Sequence, residues 1–139
     1  MNEDLAFKIV NHAFQHKKDL AGELYVKHLE RVASKFSGEI KVVAILHDLL
    51  EDCPEWNEEA LRALFWKNIV DSVVVLTKLK GEDYDKYIKR VSKDSWATRV
   101  KIEDLKDNMD ITRLKNISDK DVERLRKYVK AYEYLTARN

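Results

Sequence analysis

At 139 residues and a formal net charge of +1, the chain has material for one domain and no overall field to draw in a long nucleic acid. Its 45% hydrophobic content excludes a disordered polymer, and its 37% charged content must coat an extensive surface. Three Gly, one Pro and one Cys exclude an internal disulfide and leave few turn-formers for a sheet, so the expectation is an all-α single domain over 1–139.

The elements follow in chain order. A first helix is predicted over about 3–18, with Leu5, Ile9, Val10 and Ala13 on one stripe, its pattern breaking near Ala21-Gly22. A second begins at Tyr25 and stops at Ser37-Gly38, where Gly allows a left-handed exit. The third, IKVVAILHDLLED, is apolar nearly all round, which places it at the centre of a bundle. Asn57 caps a short helix on EEALRALF, and 69–79 continues as helix although its β-branched residues also suit a strand. Further helices are predicted over 83–93 and 96–114. Ser118, with Asp121 three residues on, opens a last one that docks through Val122, Leu125, Val129, Tyr132 and Leu135. The sum is a bundle of about six to eight helices.

No apolar run approaches the roughly 20 residues that cross a bilayer. The N-terminus MNEDLAFKIV also lacks a secretory layout, so a soluble, cytoplasmic protein without a membrane partner is expected.

The chemistry concentrates at His47-Asp48, with Glu51 and Asp52 one turn later, inside that apolar third helix. Removing ionised carboxylates from water costs several kcal/mol each unless a cation or a hydrogen-bonded partner compensates. Two readings of this segment alone are balanced. In one, a metal supplies the compensation; in the other, Glu51 and Asp52 have reached solvent and leave a core histidine with one capped Asp. A second polar insertion, VKIEDLKDNMD, sets Asp104, Asp107 and Asn108 on one face among Ile102, Leu105 and Met109. It favours ligation for Asp104, while Asp107 and Asp110 read as a solvated face with charge pairs. His28 adds a third element, within one turn of the inward-facing Tyr25 and Leu29. This mixed nitrogen and oxygen set suits Mn, Fe or Mg better than a closed structural zinc site.

Four segments now stand in order: DLAGELYVKH, AILHDLLEDC, VVVLTKL and VKIEDLKDNMDITRL. Their spacing is Gly-x-x-Tyr-x-x-His, then L-H-D-x-x-E-D, then L-T-K, then K-x-x-D-x-x-x-N-M. In this the chain resembles the HD phosphohydrolases, in particular the RelA/SpoT-type (p)ppGpp hydrolase domain and its small stand-alone relatives. The resemblance implies an HD-type helical bundle. It implies that His28, His47, Asp48 and Asp104 ligate a divalent metal, most often Mn2+, with Mg2+, Fe2+ or Co2+ as other occupants. Glu51 with Asp52 would position or deprotonate the attacking water, and Asn108 would hold substrate. Lys101, Arg90 and Lys78 are the cations expected to neutralise phosphate, with Arg113 also flanking the motifs.

Some positions depart from the family. Asp19-Leu20 stands where an Arg usually precedes the turn, leaving base recognition without its usual guanine contact; Leu24 and Leu29 replace prolines, and His16-Lys17 replaces Gly-Gln. The chain ends after one more helix, so degradation without synthesis is expected. His12 and His16 read as surface or packing residues, Cys53 as a small core residue, and Trp56, Trp66 and Trp96 as core packing.

The expected activity is hydrolysis of a nucleotide phosphate ester or pyrophosphate, such as the 3'-pyrophosphate of a guanosine alarmone, with a small phosphorylated nucleotide as partner. The alternatives are a catalytically silent nucleotide- or metal-binding regulatory module, or another HD-type nucleotide phosphatase or phosphodiesterase.

Overall fold

A computed structural model of the chain describes residues 2–137. Among them the regular elements are helical, apart from an isolated bridge between Lys18 and Leu24, so the all-α expectation holds. α1 (Asn2–Ala13) buries Ala6, Ile9 and Val10 and ends earlier than its apolar pattern suggests. The cause is local. Asp19 Oδ1 accepts the N–H groups of Ala21 and Glu23, and the Tyr25 N–H returns to the Lys17 carbonyl, so a side-chain-capped turn competes with helix from residue 14 onward. Gly22, at φ 87, supplies the left-handed residue this turn requires.

α2 (Val26–Ala33) follows, and α3 (Glu39–Leu46) runs through the middle, with Ile40, Val42, Val43, Ala44, Ile45 and Leu46 all buried. It packs on α1 and α2, on α6 (Lys67–Leu76) and on α8 (Ser95–Asn108), the central place its apolar circumference requires.

The third predicted helix is not continuous. It breaks at His47-Asp48 and resumes as the single turn α4 (Leu49–Asp52), with Asp48 at φ −103, ψ −2 in the sparsely populated bridge region. The His47 Nδ1–H donates to the Ala44 carbonyl at 2.6 Å and competes for an acceptor that a continuing helix would use.

Asn57 caps α5 (Glu58–Arg62) by accepting the Ala60 N–H, as its sequence position suggests. The β-branched 67–76 segment is helical and buries Ile69, Val70, Val73 and Leu76. Trp66, at its entrance, is 65% exposed, so it does not pack in the core; Trp56 and Trp96 do lie against it. α7 (Tyr84–Val91) is capped by Asp83, and α8 by Asp94. α8 stops at Asn108 rather than 114, because Asp110 captures the N–H and hydroxyl of Thr112 and opens a short 3-10 turn over Ile111–Arg113.

Ser118 and Asp121 cap each other reciprocally at the start of α9 (Asp119–Ala137). α9 docks on α8 and α7 through Ala131, Leu135 and the half-buried Tyr128 and Tyr132, while Val122 and Val129 remain exposed at about 40%, against the stripe expected of them. One hydrophobic core runs through all of these elements. No described helix is long and apolar enough to cross a membrane.

Candidate metal centre

Three parts of the fold converge beside that core. α2 presents His28, the break between α3 and α4 presents His47 and Asp48, and α8 presents Asp104. His28 Nε2 lies 2.8 Å from Asp104 Oδ1, and His47 Nε2 lies 3.2 Å from both Asp104 Oδ1 and Asp48 Oδ2. Each residue offers one donor atom, and the four atoms lie within 4.8 Å of one another. The break in the third helix is what allows adjacent residues 47 and 48 to aim at one point, since neighbours in a continuous helix diverge.

Outer partners fix each of these groups. The His28 Nδ1–H donates to Asp107 Oδ2 at 2.7 Å, and Arg31 grips Asp107 with two nitrogens, Nε at 2.7 Å and Nη2 at 3.1 Å. Asp48 accepts the Tyr25 hydroxyl. Asp104 accepts from Lys101 Nζ at 2.9 Å and from Asn108 Nδ2 at 3.2 Å.

The electrostatics follow from burial opposed by opposite charge. Burial alone would lower the His28 pKa, but its bonds to Asp104 and Asp107 push it up to about 9. His47 is likewise raised well above the usual imidazole range, against its burial, by Asp48 and Asp104. Burial would raise both aspartates. Instead His47 draws Asp48 down to about 2, and Lys101 followed by His47 holds Asp104 well below the usual carboxylate range. The ionised form of both carboxylates and the protonated form of both imidazoles are thereby favoured, each balancing the other. A divalent cation would be balanced by the same two carboxylates, with the imidazoles neutral. The donor set, two nitrogens and two carboxylate oxygens, fits such an ion.

Two cavities adjoin this cluster. One, of about 410 Å3, is lined by Asp48, Glu51, Asp52, Lys78, Lys101, Asp104 and Asn108, together with side chains of α7 and α9. Glu51 accepts the Lys78 backbone N–H at 2.9 Å, and removal from water, with like charge from Asp48 and Asp52, raises its pKa. Asp52 is anchored to Lys17 at 2.9 Å. The second cavity, of about 340 Å3, has an apolar floor that includes Leu20, Ala21, Ile111 and Leu125, with Arg31, Arg113 and Arg124 on its walls. Each of these arginines is matched to an acid: Arg31 to Asp107, Arg113 to Asp110, Arg124 to Asp121. Lys17, Tyr25, Asn108 and Tyr128 line both cavities.

Arg90 is placed elsewhere. It lines neither cavity, and its guanidinium holds Glu82 and the carbonyls of Val75 and Thr77. It ties down the 75–82 segment, away from the cluster it was expected to serve as a phosphate-binding cation. Asp107 is the opposite case: the solvated charge pair read from the sequence is the buttress of His28. Its position three residues after Asp104 was the available signal. His12 and His16 are exposed, and Cys53 is buried with its thiol pushed up to about 11, chiefly by desolvation.

No family model matches the chain, and no curated protein matches it. Among solved structures that match, one is described as "A metazoan ortholog of SpoT hydrolyzes ppGpp and plays a role in starvation responses". The TM-score is 0.80 at 18% sequence identity, over 96% of this chain and 84% of that one. The chain is similar in fold to a SpoT-type hydrolase. The resemblance read from the ordered segments meets a counterpart in fold here, beside a His/Asp cluster that could hold a metal ion.

Proposed function

We propose that the chain is a metal-dependent phosphohydrolase that cleaves a phosphate ester or pyrophosphate of a nucleotide, with residues 1–139 acting as one HD-type hydrolase domain in the cytoplasm. The observation that carries the reading is the convergence of His28, His47, Asp48 and Asp104 within 4.8 Å beside a cavity that Glu51 and Asp52 also line. The fold shared with a ppGpp-hydrolysing protein supports it and makes a guanosine 3'-pyrophosphate the first substrate to test.

In this reading the four residues would hold a divalent ion, Mn2+ first, which supplies Lewis acidity toward a phosphoryl oxygen and an attacking water. The chain does the rest. Asp107 and the Ala44 carbonyl keep the Nδ1 proton on His28 and His47, leaving Nε2 of each facing the carboxylates. Glu51, with its raised pKa and its orientation fixed by the Lys78 N–H, would receive a proton. Asp52, held by Lys17, would orient the water. Lys101 and Lys78 put positive charge on the same cavity, and Asn108 stands where the two cavities meet.

The test incubates Mn-loaded protein with a nucleotide panel that includes ppGpp and follows phosphate and pyrophosphate release by 31P NMR. Metal-dependent release from at least one member, abolished by Asp104→Ala, is expected. Absence of metal-dependent turnover on every member defeats the reading.

A further inference from the structure

The cavity beside the carboxylates has a wall that the site described so far does not use. α9 brings Lys127 and Tyr128 to it, and α7 brings Tyr84. Lys127 Nζ sits 4.6 Å from the Tyr84 ring centroid and 5.6 Å from that of Tyr128, and it has no carboxylate partner among the described residues. Two other cations of the cavity differ in this respect: Lys17 is paired with Asp52 and Lys101 with Asp104. Lys78 is close to Lys127 in kind, its ammonium reaching only the Leu79 carbonyl at 3.5 Å.

Resting on the phosphohydrolase reading, we propose that Lys127, on its Tyr84 and Tyr128 platform and together with Lys78, forms an anion subsite for a phosphoryl group of the substrate. That group is the one farther from the His/Asp cluster.

Charge and hydrogen bonding both support the assignment. An ammonium held over two aromatic rings keeps favourable cation–π contact without being neutralised, so it remains free for an anion. Its surroundings are positive: burial, then Lys101, Arg124 and Lys78, all lower the Lys127 pKa, and no acid offsets them. An anion arriving there relieves that repulsion. The Tyr84 hydroxyl, on the ring Lys127 covers, is buried and unmatched by any acceptor among the described residues. A phosphoryl oxygen drawn to the ammonium would supply one. The cavity is thus lined by Asp48 and Asp104 and also by Lys78 and Lys127, two cations with no carboxylate partner among the described residues, a charge distribution that suits a substrate carrying more than one phosphoryl group.

The experiment titrates inorganic pyrophosphate into the full chain in EDTA and follows binding by calorimetry, so the readout requires neither metal nor turnover. Wild type is expected to bind. Lys127→Ala should weaken binding about tenfold, the range of one charge-assisted contact, and Lys127→Arg should retain most of it. Lys120→Ala, which removes a cation elsewhere on α9, should leave binding unchanged. The subsite is refuted if wild type binds no pyrophosphate, if Lys127→Ala binds as wild type does, or if Lys120→Ala weakens it equally. The two proposals fail separately. Lys127-dependent binding without hydrolysis of any nucleotide would retain the subsite and remove the enzyme, whereas hydrolysis with KM unchanged in Lys127→Ala would do the reverse.

Discussion

His28 and Asp107, 79 residues apart in the chain, meet with Nδ1 and Oδ2 at 2.7 Å while the other imidazole nitrogen faces Asp104 at 2.8 Å. Both ring nitrogens are thereby assigned, and Arg31 locks the carboxylate that assigns the first. Removal of such a partner from a ligating histidine typically costs 10- to 100-fold in metal affinity. Asp107→Ala should therefore weaken Mn2+ binding by about that factor in calorimetric titration, and Asp107→Asn, which keeps an acceptor oxygen, should lose less. Equal affinity in all three proteins would show that Asp107 does not orient His28.

Glu51 lies outside the donor set, so its substitution should separate binding from chemistry. Glu51→Gln keeps an oxygen for the Lys78 N–H but cannot take a proton. Turnover should fall by about 10²- to 10⁴-fold with Mn2+ affinity unchanged. Retained turnover would remove Glu51 from the proposed chemistry.

The pH dependence of stability in the metal-free protein has two limbs of opposite sign. His28 is raised from 6.5 to about 9, so its contribution is fully present below pH 6.5 and is lost as pH rises through 9. Asp48 and Asp107 are lowered from 3.8 to about 2, so theirs is present above 3.8 and is lost as pH falls toward 2. Thermal melts in EDTA should peak between these limbs and decline on both sides. Added Mn2+ should flatten the alkaline limb, because ligation needs the neutral imidazole that high pH favours. A melting temperature that stays level from pH 6.5 to 9 in EDTA would contradict the charge balance described for the cluster.

Arg90 should behave as a structural residue. Arg90→Ala strips partners from the Val75 and Thr77 carbonyls and from Glu82, and a cost of about 1–3 kcal/mol is expected in chemical denaturation. Mn2+ affinity should be unchanged. A large rise in KM with normal stability would return Arg90 to the phosphate-binding role expected from the sequence.

Much of the fold was legible because its signals are local. The apolar circumference of 40–46 predicts a central helix, Asn57 and the Ser118–Asp121 pair mark helix starts through caps a few residues long, and the period of 67–76 outweighs its β-branched content. His28, His47, Asp48 and Asp104 could likewise be singled out one by one, as polar residues on otherwise buried helix faces. Tertiary structure decided what each of them meets. The break at His47-Asp48 depends on a side chain taking the Ala44 carbonyl and on Tyr25 reaching Asp48 from the turn before α2. Asp107 and Arg90, similar in sequence to many surface charges, were sorted by packing into a buttress of His28 and a clasp on the 75–82 segment. Lys127 carries no motif, and its lack of an acid partner exists only once α9 is docked. Periodicity reports which face of a helix is turned inward. Which atom stands 3 Å away on a neighbouring helix is fixed by contacts between residues as far as 79 positions apart, and no local pattern encodes that.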